Sequence, residues 1–259
     1  MKIALTGKGG VGKTTITASL CRYFADKGFK VLAVDADPDA NLGLALGMSE
    51  EEIADIVPIS EMKDLVEERT NAQTGTYGSL FKMNPDVDDI PEKFSKVHKG
   101  VKLLTMGTVD AGGSGCVCPE HVLLKMLMTH LVLFEKDVVV MDMEAGIEHL
   151  ARGTAQSVDA FIVVVEPGVR SVQTFNKICK LAEDIGVKKV FVIGNKIRSK
   201  ADEDFITERV GESNIIGFLP YRDEIIASDR NNMSPYDDPE TREIIGQLGE
   251  KIEATVGSK

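Results

Sequence analysis

Gly7-Lys8-Gly9-Gly10-Val11-Gly12-Lys13-Thr14-Thr15 is the stretch from which the rest of the chain is read. An apolar run, Ile3 to Leu5, leads into it, and a helical pattern from Lys13 to Lys27 leads out. Strand, glycine-rich turn and helix are the context of a phosphate-binding loop. Glycines at 7, 9, 10 and 12 let backbone N–H groups curl into an anion-sized nest without Cβ atoms in the way. The helix that follows points its positive end at the same place. In this arrangement Lys13 reaches the outer phosphates of a nucleotide, and the Thr14 hydroxyl is a Mg²⁺ ligand.

Composition narrows the setting. The 259 residues suit one α/β domain, 1–259, with a full core, and no internal repeat or second domain is visible. Thirty Lys and Arg stand against 41 Asp and Glu, a net charge of −11. That balance argues against non-specific nucleic-acid binding, which releases counterions from a basic face, and against anionic membranes. Residues 1–25 hold no signal peptide, no apolar run reaches spanning length, and four cysteines make no disulfide framework. A reducing cytoplasm is the expected compartment.

Continuous apolar runs of the buried parallel kind recur at 2–6, 30–35, 101–106, 137–141, 160–165, 189–193 and 215–219. The expected fold is a three-layer α/β P-loop NTPase with a mostly parallel sheet of about seven strands and helices on both faces. Helices are expected near 171–185 and 239–256, the latter with an Ile244, Ile245, Leu248, Ile252 stripe. Cys21 and Cys179 read as helix packing, Met126 and Met128 as core, and His98, His121 and His130 as scattered surface or core positions.

Three stretches between these elements carry chemistry. Asp35-Ala-Asp37-Pro38-Asp39-Ala-Asn41-Leu42 is an Asx turn by composition, yet it falls at a strand's carboxyl end, where open α/β sheets place their sites. The apolar run ending at Asp142 is a Walker B pattern, in which the carboxylate holds Mg²⁺ through water. Glu144, Glu148, His149 and Arg152 follow without assignable roles. Cys116-Val-Cys118-Pro119-Glu120 places two thiols on one side of extended chain before a helix whose N-terminus lowers thiol pKa. Two thiolates are half of a tetrahedral site, and a two-fold dimer would supply the other half. Zn²⁺ suits that set, and Ni²⁺ suits a square-planar one. The segment 72–100 is rich in turn residues and acids and reads as a long loop, a candidate for partner docking.

Lys8, which the general loop pattern does not require, resembles the deviant loop of the ParA/MinD/nitrogenase-iron-protein class of ATPases. That resemblance implies that Lys8 reaches across a dimer to the partner's nucleotide. It implies that Asp37 orients or deprotonates the attacking water and that Asn41 lies near the γ-phosphate. Gly146 would meet the γ-phosphate through its backbone, Asn195 would bind adenine, and the backbone at Pro220 would run along the base. Taken together, the loop, Asp37-Pro-Asp-Ala-Asn-Leu42, Gly115-Cys-Val-Cys-Pro-Glu120 and Asp142-Met-Glu-Ala-Gly-Ile-Glu-His-Leu150 resemble the CooC/AcsF type. These ATPases help insert nickel into carbon monoxide dehydrogenase or acetyl-CoA synthase. The resemblance implies a homodimer using ATP/ADP and Mg²⁺, with nickel or zinc between the subunits as cargo. A MinD/ParA-like positioning protein would need a basic face or tail, and an iron-protein-like electron donor would draw its cysteines from two separate loops.

Overall fold

The computed structural model describes residues 1–72, 81–107, 118–144 and 158–257. Among these residues eight strands form one sheet: β1 (Lys2–Gly7), β2 (Val31–Ala36), β3 (Lys96–His98), β4 (Val101–Thr105), β5 (Val138–Met143), β6 (Ala160–Val165), β7 (Val190–Ile197) and β8 (Ile215–Pro220). Their spatial order is β3-β4-β2-β5-β1-β6-β7-β8. All neighbours run parallel except β3, which pairs antiparallel with β4 at the edge.

The expected count of about seven is therefore corrected to eight. Three residues of alternating polarity are too short to register as a strand, and β3 lies inside the segment that reads as a long loop. That segment also holds a short helix, Ile90–Phe94. Its acids are not simply solvated: Asp89 meets Arg69 at 2.8 Å and Lys93 at 2.7 Å, and Glu92 pairs with Lys102.

The sheet is covered on both faces, which is why its central strands are apolar throughout. Alternate residues sort to opposite sides. Ile3, Leu5, Ala33, Val140, Ile162 and Val164 face α1 (Lys13–Asp26) and the long C-terminal helix Pro239–Val256. Ala4, Val34, Met141, Phe161 and Val163 face the helices Pro119–Leu133 and Val169–Ile185. Cys21 is fully buried in the first layer, and Met128 and the partly buried Met126 and Cys179 pack in the second. Of the C-terminal stripe, Ile245, Leu248 and Ile252 are buried, while Ile244 packs at the margin.

Local signals start the helices. Asp238 accepts from the Thr241 N–H at 2.8 Å, with Pro239 in the first turn. Ser199 and Asp202 form a capping box for Lys200–Val210.

Where the C-terminal helix crosses α1, the Tyr23 ring lies on Gly249 and its hydroxyl donates to Glu253 at 2.7 Å. A Cβ at Gly249 would fall inside that ring, whereas one at Gly246 would sit 3.9 Å from it, an ordinary contact. Alanine gains about 1 kcal/mol over glycine in a helix interior, and overpacking costs about 1–3 kcal/mol. Gly246→Ala should therefore raise the urea midpoint and Gly249→Ala lower it, a comparison equilibrium denaturation makes directly.

Candidate nucleotide site

β1 runs between β5 and β6 and delivers the loop to the middle of the sheet's carboxyl edge. Gly7 leaves the strand at φ 148°, where a Cβ would lie 2.6 Å from the Val164 carbonyl of β6. Gly10 and Gly12 have φ 77° and 92°, the left-handed region that glycine enters freely. A loop that turns its N–H groups inward exposes carbonyls on its outer side. Asn195 Nδ2 donates to the Val11 carbonyl at 2.7 Å, and Lys196 Nζ donates to the Gly10 carbonyl at 2.6 Å.

Adjacent residues of a strand normally point to opposite faces. Here Lys196 adopts φ 59°, and the β7–β8 register shifts between Gly194 and Ile197. That irregularity brings both side chains to the loop. Asn195 is buried, its Oδ1 accepts the Lys196 N–H at 2.8 Å, and a Cβ on Gly12 would land on its Nδ2.

The charged groups lie inside this frame. Lys13, only 6% exposed, opens α1, and its Nζ sits 3.9 Å from Asp37 Oδ2. The other Asp37 oxygen accepts the Asp39 N–H at 3.2 Å, so one carboxylate both closes the Asx turn and faces Lys13.

Asp142, fully buried, lies within β5 rather than just beyond it, in register with Leu5 and Asp35. Its Oδ1 accepts from the Thr17 hydroxyl at 3.3 Å, and among the described residues its Oδ2 has no hydrogen-bond partner. Burial pushes its pKa up to about 6, opposed by the Thr14 hydroxyl and Lys13, with Asp37 adding to the rise. An orphaned buried carboxylate oxygen beside Lys13 and Thr14 fits a hydrated Mg²⁺. Thr14 and Asp142 would hold the ion, which when bound neutralises phosphate charge.

Asp35, one strand over, is the residue that sequence reading passed by. It is 1% exposed and accepts the Leu42 N–H at 2.9 Å and the Asp37 N–H at 3.3 Å. It thereby pins both ends of the loop that carries Asp37 and the exposed Asn41. Only its place as the final buried residue of an apolar strand hinted at this.

A pocket of about 570 Å³ opens beside the loop, lined by Gly12, Thr15, Asn195, Pro220, Tyr221 and Ile226 among others. Its size suits a nucleoside. The Arg198 guanidinium lies 4.0 Å from the centre of the Tyr221 ring at its wall. Pro220 and Asn195 thus line one cavity, at the ends of β8 and β7.

One expectation resolves differently. Cys118 is the extended residue before the helix Pro119–Leu133, but partial burial holds its thiol above the ordinary pKa. The His121 N–H opposes that rise, while Glu120 adds to it, so the lowering expected from the helix end does not prevail. Cys116 and Gly146, with Glu148, His149 and Arg152, lie outside the described residues. Among the described residues no group of three or more His, Cys, Asp and Glu side chains forms a metal cluster, and no described helix is long and apolar enough to cross a membrane. His98 pairs with Glu52 at 3.3 Å and His130 with Asp88 at 2.9 Å.

The CobQ/CobB/MinD/ParA nucleotide binding domain matches residues 2–236. The chain belongs to this family. It is 50% identical over 237 residues to the carbon monoxide dehydrogenase accessory protein CooC of Rhodospirillum rubrum, covering 92% of this chain and 90% of that one. It is 49% identical to the uncharacterized ATP-binding protein MJ0823 of Methanocaldococcus jannaschii, with 88% of each covered. Its fold is similar to that of a putative plasmid partition protein from Borrelia burgdorferi bound to AMPPNP, with a TM-score of 0.72 at 17% identity, covering 98% and 99% of the two chains. As a CobQ/CobB/MinD/ParA member with this loop, the protein is a P-loop ATPase.

The pinning carboxylate of this ATPase has a measurable signature. Burial raises the Asp35 pKa from 3.8 to about 7, with the Leu42 N–H opposing and Asp142 reinforcing. Below the unfolded-state value both states hold the proton. Between the two values only the folded state does, so its stability falls as pH rises from about 4 to about 7. Asp142 acts in the same direction. Asp35→Asn can accept with one oxygen only, and a misplaced donor costs about 1–3 kcal/mol. In metal-free protein this variant should have a flatter dependence on pH across that window, with a urea midpoint below wild type near pH 4 and a deficit that shrinks or reverses toward pH 7.

Proposed function

We propose that this protein is an ATP-hydrolysing accessory factor that helps insert nickel into a carbon monoxide dehydrogenase or acetyl-CoA synthase. The single observation that carries this reading is half identity to CooC across nine-tenths of both chains. The loop geometry supports the ATPase half of it. In this reading the protein works in the cytoplasm as a homodimer, with Ni²⁺ (or Zn²⁺) bound between subunits by Cys116 and Cys118 of each.

The chemistry follows from the chain's own residues. Gly9, Gly10, Val11, Gly12 and Thr15 supply backbone N–H groups to the phosphates, and Lys13 adds a fixed cation. Asn195 and the backbone at Pro220 border the adenine. Asp37 holds the attacking water, aided by Asn41, and accepts its proton as the bond from the γ-phosphorus to ADP breaks. Gly146 contributes a backbone N–H to the γ-phosphate. Lys8 of the second subunit stabilises charge developing on that group, as an arginine finger does.

Two tests separate the parts. Lys13→Ala should abolish ATP binding in isothermal titration. Lys8→Ala should keep ATP binding but lose about 100-fold or more in turnover, together with ATP-dependent pairing on a sizing column. Wild-type turnover in Lys8→Ala would remove the cross-subunit role.

Metal should bind at one ion per dimer, because two thiolates per chain complete a four-sulfur set only when paired. Cys116→Ala or Cys118→Ala should abolish metal binding and leave basal ATP hydrolysis near wild type. Tight binding at one ion per monomer would contradict the shared site.

A further inference from the structure

Lys8 is not free in the single subunit. Its Nζ lies 3.3 Å from Glu166 Oε1, and Lys196 Nζ lies 3.5 Å from Glu166 Oε2. Glu166 follows the last residue of β6, and its N–H donates to the buried Ser171 hydroxyl at 3.1 Å, so the framework anchors the backbone from which its side chain extends. Lys196 is held a second time by the Gly10 carbonyl. One acid therefore bridges two cations, of which Lys196 is also tied to the loop, while among the described residues Lys8 Nζ is tied to the acid.

We propose that Glu166 is a latch that holds Lys8 over its own loop until ATP-driven pairing transfers the ammonium to the nucleotide of a second copy. The inference rests on the cross-subunit reading of Lys8 and adds a positioning residue to it. Two features suit the role. The Lys8 and Glu166 side chains are 38% and 28% exposed, so solvent screens the pair and it breaks readily. Lys196 stays with Glu166 after Lys8 departs, so the acid is not left unpaired. Without the latch a long, flexible lysine would sample many rotamers beside its own phosphates. With it, Lys8 starts from one place, and part of the pairing energy goes into releasing it.

The test compares Glu166→Gln with wild type on two readouts. The first is the rate at which an acylating reagent labels Lys8 in nucleotide-free protein, followed by mass spectrometry. The second is the dimer dissociation constant at saturating non-hydrolysable ATP analogue, measured by analytical ultracentrifugation. Removing the acid should speed labelling by about two- to fivefold, the range an exposed ion pair commands, and tighten the dimer by about the square of that factor, because each pairing event releases two latches. Glu166→Asp, which keeps the charge, should return both toward wild type.

Unchanged labelling, or a dimer no tighter in Glu166→Gln, would overturn the latch. Lys8→Ala run alongside separates the two ideas. If it pairs and hydrolyses ATP as wild type does, the cross-subunit reading has failed. If it loses both while Glu166→Gln changes nothing, only the latch has failed.

Discussion

A backbone that offers its N–H groups to an anion must turn its carbonyls elsewhere, and those carbonyls need donors of their own. This constraint organises the site. The loop after β1 cannot satisfy the Gly10 and Val11 carbonyls by itself. The strand two places away supplies both donors, through Lys196 and Asn195. The left-handed Lys196 and the β7–β8 irregularity follow from that demand, since a regular strand would send one of the two side chains to the wrong face. The donors that hold the nest's curvature thus come from the protein itself.

A similar economy governs the acids at the strand ends. Asp35 and Asp142 stand in register on β2 and β5, both buried, and each carboxylate is committed differently. Asp35 spends both oxygens on backbone N–H groups and so is structural. Asp142 leaves one oxygen unengaged and so is available to an ion. Asp37, only partly buried, keeps one oxygen for its own turn and turns the other toward Lys13. Three aspartates within one short stretch of sheet edge thereby differ in what their hydrogen bonds leave open.

Much of this was legible in the sequence. The doubly covered strands announce themselves as unbroken apolar runs, and the glycine loop between a strand and a helix specifies its ligand class. The alternative readings of Asp37, turn former or site residue, do not compete for one atom, because one oxygen closes the turn and the other faces Lys13. What escaped reading depends on contacts between distant segments. Glu166 looks like the closing residue of a strand before a proline. Lys196 looks like a surface lysine, and nothing in its neighbours signals a left-handed backbone. β3 is set by pairing with β4 rather than by its own pattern. Asp35 carries no motif of its own, and its weight comes from two N–H groups that only the folded loop brings to it.

The fit between Gly12 and Asn195 has an evolutionary consequence. The amide occupies the space that any side chain at position 12 would need, and it is there to cap a carbonyl of the same loop. Shrinking residue 195 to admit a larger residue 12 would uncover that carbonyl, and residue 12 would still face a backbone conformation only glycine adopts freely. Neither position can drift first, and neither change repairs the other. The two sites form an epistatic pair without a compensatory path, so a lineage that keeps the loop's geometry has to keep both residues together.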